Sequence, residues 1–249
     1  MEPTAVPGIG DRLEGVHAVT AALRAGRVTS VTVERGPAKS IEMQGLIALA
    51  EEIGASVELV ADVSRLAATS APQGVVAEAR PLTTVPLPEL VSRASLPAVI
   101  VLDHAEDPRN VGAIARSAQA AGFDGMVVSS RRAAPLGATA FKAAVGAFEQ
   151  LSVAVVASIA DAVRQLRDLN VWTVALDGAA SESFYELRVL DEPVAVVVGA
   201  EGRGVSKLVA ERCDVVARLP MAPGIESLNV GVAAALAMFE IGRARGALS

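Results

Sequence analysis

One cysteine, two histidines and 3% aromatic residues in 249 positions set the first limits on this chain. Cys213 alone excludes an internal disulfide, and with only His17 and His104 beside it no cluster can hold a structural zinc, so a metal-free protein is expected. Long apolar runs are also missing. None reaches the roughly 18 to 20 residues that a bilayer crossing takes, and Met1-Glu-Pro-Thr4 lacks the basic and apolar blocks of a signal peptide. A cytoplasmic protein with no membrane association is the expectation. An excess of positive charge is absent as well: the net charge is -6, which argues against non-specific coating of nucleic acid, because that binding rests on many Lys and Arg contacts to phosphate. A local basic site stays compatible with this balance. What the chain does have is 52% hydrophobic residues, enough Ala, Val and Leu for one large domain or two unequal ones.

The pattern favours two. Residues 1–12 read as a tail. From Leu13 to Arg80 a small α/β unit is predicted, with helices over Gly15–Arg24 and Ile41–Ile53 and strands over Val28–Glu34, Val57–Val60 and Gly74–Ala79. Residues 81–97 carry Pro81, Pro86, Pro88 and Pro97 with little periodicity, which suits an extended, stiff linker. Over 98–249, apolar strands at Ala98–Leu102, Gly125–Ser129, Val153–Val156, Val171–Leu176, Val194–Val198 and Val215–Leu219 alternate with helical stretches. That alternation is the mark of a parallel sheet covered on both faces.

Three junctions in this second part place a small or polar loop after an apolar run and before a helix. The first is Leu102-Asp-His-Ala-Glu-Asp-Pro-Arg-Asn-Val-Gly-Ala-Ile-Ala-Arg116, in which Asp107 and Pro108 read as N-cap and first helical residue. Val111, Ile114, Ala118 and Ala121 recur as its buried face, so Arg116 stands off that stripe. The second is Val196-Val-Val-Gly-Ala-Glu-Gly-Arg-Gly-Val-Ser206. Its glycines fall as G-x-x-G-x-G, which is neither the dinucleotide-binding order nor a P-loop, and this excludes a nicotinamide dehydrogenase. The third, Leu219-Pro-Met-Ala-Pro-Gly-Ile-Glu-Ser-Leu-Asn-Val230, opens a segment running to Ile241 that is apolar on nearly every side and is expected to be buried all round.

Jointly, in order and spacing, the three segments resemble the signature motifs of the SpoU (TrmH-like) RNA ribose 2'-O-methyltransferases, over about Ala98 to Arg245. Glu14-Gly-Val-His-Ala-Val19 and Gln73-Gly-Val-Val-Ala77 are similar to the L30e-like substrate-binding domain of the bacterial 23S rRNA guanosine 2'-O-methyltransferases. The resemblance implies an α/β fold: a SPOUT-type parallel sheet with a C-terminal trefoil knot, an exception to the usual rule of unthreaded connections, preceded by a small L30e-like domain. It also implies a homodimer that takes S-adenosylmethionine and RNA, with Gly199, Gly202, Leu219, Met221 and Leu228 around the methyl donor. Arg116, Asn110, Glu201, Ser227 and Asn229 match the family's active-site polar residues.

Methyl transfer to a ribose hydroxyl needs the oxygen in line with the methyl carbon and a means of shedding its proton. A guanidinium is a poor base at neutral pH, so Arg116 is assigned to orienting the target phosphate and stabilising the developing alkoxide. Arg109, Arg131, Arg132 and Lys142 are the candidates for a local basic surface toward RNA. Two positions depart from the family pattern: Gly231 where many relatives carry a second serine, and Pro72 where a His often precedes Gln-Gly-Val. Competing readings are the same chemistry on tRNA or another rRNA nucleotide, antibiotic-resistance methylation included, and a non-catalytic RNA-binding or ribosome-assembly factor. The retained polar set speaks against the last.

Overall fold

The computed structural model describes residues 3–130, 136–200, 202–225 and 227–248. The chain enters through a short strand β1 (Thr4–Ala5) and builds a first unit from β2 (Arg12–Glu14), α1 (Val16–Arg24), β3 (Val28–Glu34), α2 (Ile41–Glu52), β4 (Ser56–Val60) and β5 (Val75–Ala79). Among the described residues these strands form a four-stranded sheet in the order β2-β5-β3-β4, parallel only between β3 and β4. Glu14, buried at the end of β2, was not foreseen as structural. Its carboxylate accepts from the amides of Ala68 and Thr69 and from the Thr69 hydroxyl, which offsets the cost of burying the charge and closes the loop before β5.

The proline-rich stretch is not simply an extended linker. It forms β6 (Thr83–Thr84), antiparallel to β1, and then helix α3 (Leu87–Ser92). Pro86 and Pro88 stand at the helix start, where a missing amide costs nothing, and Leu87, Leu90 and Val91 bury themselves under the next sheet.

That sheet takes in β7 (Ala98–Leu102), β8 (Gly125–Ser129), β9 (Ser152–Val156), β10 (Trp172–Leu176), β11 (Glu182–Ser183), β12 (Val194–Val198) and β13 (Val215–Arg218). Helices α4 (Pro108–Ala120), α5 (Ala138–Ala144), α6 (Ile159–Asp168), α7 (Lys207–Arg212) and α8 (Val230–Ala244) connect or cover the strands. Among the described residues it is a seven-stranded, all-parallel sheet in the order β11-β13-β10-β12-β7-β8-β9. β7 and β12 are buried at every residue, as central strands covered on both faces must be. The chain extends to one side of β7 through β8 and β9 and to the other through β12 and β10. Ligands of such sheets bind beyond the carboxyl ends of the strands near this reversal.

The last helix departs from expectation. α8 packs on α4 and β12 and buries Ala234, Ala237, Met238 and Ile241, yet Val232, Leu236 and Phe239 are 49%, 43% and 43% exposed. An apolar stripe at i, i+4 and i+7 therefore stays uncovered in the single chain. No helix among the described residues is long and apolar enough to cross a membrane.

Candidate active site

The loops after β10, β12 and β13 open at the carboxyl edge of the sheet around a cavity of about 420 Å³. Gly199, Gly202, Leu219, Met221, Ser227 and Leu228 all line it. The glycine loop is shaped by backbone alone. The Ala200 amide donates to the Gly204 carbonyl (3.1 Å), the Gly204 amide donates back to Ala200 (2.9 Å), and Gly202 and Gly204 sit at φ +77° and +65°. Gly199 tolerates no side chain: a Cβ there would lie 1.9 Å from the carbonyl carbon and oxygen of Gly204. The loop is folded tightly against the end of β12, so backbone rather than side chain faces the cavity.

Asp103, one residue past β7, holds this loop from the other side. Only 1% exposed, it accepts from the Ser206 amide at 2.7 Å. The loop after β7 thus positions the loop after β12, a role the sequence reading missed.

Asn229 joins the first and third segments. It caps α8, its Oδ1 accepting from the amides of Gly231 (2.9 Å) and Val232 (3.3 Å), while its Nδ2 donates to Oδ1 of Asn110 on α4 at 3.2 Å. Gly231 fits this cap, since a Cβ there would lie 3.1 Å from Asn229 Oδ1. Replacing Asn229 with Ala removes the cap and the cross-link, and is expected to lower stability by about 1 kcal/mol. Urea unfolding of the two proteins checks this; an unchanged midpoint would show the cap to be idle.

Asn110 lines a second pocket of about 320 Å³ with Asp107, Ala200, Arg203 and Val230. Ala200, Arg203 and Val230 also line the larger cavity, so the two spaces adjoin. Arg203 is the cation between them. Spacing alone gives no sign of this role, since an arginine between Gly202 and Gly204 reads equally as a solvated loop charge.

The remaining predicted residues fall elsewhere. Arg116 is exposed on α4 and does not line the cavity of its own chain. Six helical residues from Asn110 turn it about 240° around the axis, away from the Asn110–Asn229 contact. Arg109 is 78% exposed at the start of α4, beside Asp107. Lys142 on α5 donates to the Ala71 carbonyl of the N-terminal unit. Glu201, Arg131 and Arg132 lie outside the described residues. Burial pushes the Cys213 thiol up to about 12, so it stays protonated and offers no nucleophile.

A cavity of this size at the carboxyl edge of a parallel sheet, walled by Leu219, Leu228 and Met221 and bordered by the glycine loop, takes a ligand that is apolar in part. The polar pocket beside it, lined by Asn110 and Arg203, leaves room for a second group next to the first, the arrangement that a group-transfer enzyme needs. The sequence signature of the SpoU rRNA Methylase family matches residues 97–239, and that of RNA 2'-O ribose methyltransferase substrate binding matches residues 12–85. The chain belongs to the SpoU rRNA methylase family and is an RNA 2'-O-methyltransferase with S-adenosylmethionine as methyl donor. It is 35% identical over 238 residues to the 23S rRNA (guanosine-2'-O-)-methyltransferase RlmB of Photorhabdus laumondii, covering 93% of this chain and 97% of that protein. With the putative TrmH family tRNA/rRNA methyltransferase YacO of Bacillus subtilis it shares 37% identity, over 82% of this chain and 84% of the relative. The solved AdoMet-bound rRNA methyltransferase of Sinorhizobium meliloti superposes with a TM-score of 0.77 at 26% identity, covering 94% and 87% of the two chains.

Proposed function

We propose that the protein methylates the ribose 2'-hydroxyl of a guanosine in 23S rRNA, in the cytoplasm, as a homodimer. The observation that carries the chemistry is the pair of adjoining cavities, with the donor space bounded by Gly199, Leu219 and Leu228 and the acceptor space by Asn110 and Arg203. The guanosine and 23S rRNA assignment is supported by the RlmB relatives, which align over nearly the full length of both chains.

In this reading residues 13–80 are the substrate-binding domain, 98–249 the catalytic domain, and 81–97 a linker docked on the catalytic sheet. A C-terminal trefoil knot is supported by the path of the chain: β13 lies beyond β10, and the following segment returns to place α8 on α4 and β12. When bound, S-adenosylmethionine supplies an electrophilic methyl carbon. Ser227 and Asn229 orient the ribose at the mouth of the cavity, and Asn110 fixes Asn229. Dimer formation is supported by the uncovered stripe of Val232, Leu236 and Phe239 on α8. Because Arg116 stands outside the cavity of its own chain, we place its guanidinium at the active site of the second copy, where it stabilises the developing alkoxide.

The test is a ribose-methylation map of rRNA from cells with and without the gene. One guanosine in 23S rRNA losing its 2'-O-methyl group, restored by the purified protein with S-adenosylmethionine, is the expected result. Loss at a tRNA position instead would overturn the substrate assignment while leaving the chemistry intact.

A further inference from the structure

Arg27, just after α1, reaches across to the catalytic domain and closes on Glu149, a residue 122 positions later in the turn that follows α5. The contact is two-pronged. Nε donates to Oε2 at 2.8 Å and Nη2 donates to Oε1, with the two side chains only 11% and 6% exposed. The remaining guanidinium nitrogen, Nη1, donates to the carbonyls of Gly10 (3.0 Å) and Arg80. The guanidinium carbon also lies 5.7 Å from the centre of the Phe141 ring on α5. Gly10 itself is seated so closely on that ring that a Cβ would come within 2.2 Å of it. One side chain therefore gathers the N-terminal tail, the end of the substrate-binding domain and the catalytic domain.

The two domains already share one continuous apolar core, with Leu13 and Val19 of the first in the same cluster as Phe141 and Phe148 of the second, so the ion pair is not needed to keep them together. A buried ion pair is a poor means of adding stability, because apolar residues of the same volume usually serve as well. A forked guanidinium–carboxylate pair does something an apolar contact does not: two parallel bonds fix an angle as well as a distance. On the same interface lies a groove of about 660 Å³, with Gly15, His17 and Gln73 on one wall and Arg109, Thr139 and Lys142 on the other. Asp107 lines both this groove and the pocket of Asn110, so the groove leads to the acceptor site.

We propose that the Arg27–Glu149 pair is a positioning latch that fixes how the two domains meet at this groove, along which a single RNA strand carries the target nucleotide to the acceptor pocket. The inference rests on the RNA methyltransferase reading above. The RNA is single-stranded here because sequence-specific readers of RNA engage loops and unpaired segments whose bases can be splayed out. Arg109, 78% exposed although its Nε also donates to Asp107 at 3.3 Å, meets its phosphates, while Lys142 is bonded across the groove to the Ala71 carbonyl. The acids on the same walls are engaged already, Glu14 by the amides of Ala68 and Thr69 and Asp107 by the Arg109 amide.

The full-length protein is assayed as wild type, Arg27→Ala, Arg27→Lys and Glu149→Gln on an rRNA fragment bearing the target. For Arg27→Ala the KM for RNA is expected to rise about tenfold, with kcat at saturating RNA and affinity for S-adenosylmethionine unchanged. Arg27→Lys, which keeps the charge but not the fork, should show most of that rise, and so should Glu149→Gln, which keeps the side-chain shape but not the ion pair. X-ray scattering should report a broader interdomain distance distribution in all three variants. A wild-type KM in Arg27→Ala and Arg27→Lys overturns the latch. Should Arg27→Ala fail to fold, Arg27→Lys decides. Scattering needs no activity, so an inactive wild type would refute the methyltransferase reading, while unchanged distance distributions in folded variants would refute the latch.

Discussion

Gly199→Ala is expected to abolish binding of S-adenosylmethionine, lowering affinity by at least about 100-fold. The added methyl carbon would meet the carbonyl carbon and oxygen of Gly204 at 1.9 Å and the Val205 amide nitrogen at 2.2 Å. These are main-chain atoms that no rotamer change can move. Relief requires the whole loop to lift from the end of β12, which breaks the Ala200–Gly204 pairing and pulls at the Ser206 amide held by Asp103. Gly202→Ala is the internal contrast. A Cβ there meets nothing within 4 Å, and the cost is that of an L-residue at φ +77°, about 1 to 2 kcal/mol. Calorimetric titration of both variants should therefore rank Gly199→Ala far below Gly202→Ala. Equal affinities would mean that the loop is pliable and does not form the donor site by its backbone.

Arg116→Ala is expected to fold normally, since the side chain is exposed, and to lose about 100- to 1000-fold in kcat, the range seen when a donor to a developing oxyanion is removed. Affinity for S-adenosylmethionine should be unchanged, because Arg116 does not line that cavity. The proposal that it serves a partner's site has a sharper test. Arg116→Ala and Gly199→Ala chains, each inactive alone, are mixed and allowed to exchange subunits. A mixed dimer then carries one intact site, with the cavity from the first chain and the guanidinium from the second, and activity should return to about a quarter of wild type. If Arg116 served the cavity of its own chain, no site in the mixture would be whole. Near-native methylation by Arg116→Ala alone would remove this arginine from the mechanism.

Legibility in the sequence followed the range of the interactions concerned. All strands from Ala98 to Arg218 except the two-residue edge strand β11 could be read because a parallel sheet buried on both faces demands unbroken apolar runs, and β7, β8 and β12 begin and end where those runs do. The start of α4 could be read because its Asp107 cap and Pro108 are local devices. α3 escaped notice because six residues hold less than two helical turns, and its prolines at the first positions looked like linker. α8 was expected to be buried all round, and in the single chain it is not. A sequence records that a face is apolar and leaves open whether the chain itself or another copy covers it.

By itself the sequence determined the α/β class and marked the three loops, because both follow from short-range spacing; Gly199, Gly202, Leu219, Met221 and Leu228, to which the family resemblance pointed, line one cavity of the structure. Only the tertiary structure decided that Asn229 bonds Asn110, that Asp103 props the glycine loop, that Arg116 stands apart from its own cavity and that Arg27 grips Glu149. Those contacts join residues as many as 122 positions apart, and the reach and direction of a side chain across such a gap are set by how helices and sheets pack in three dimensions.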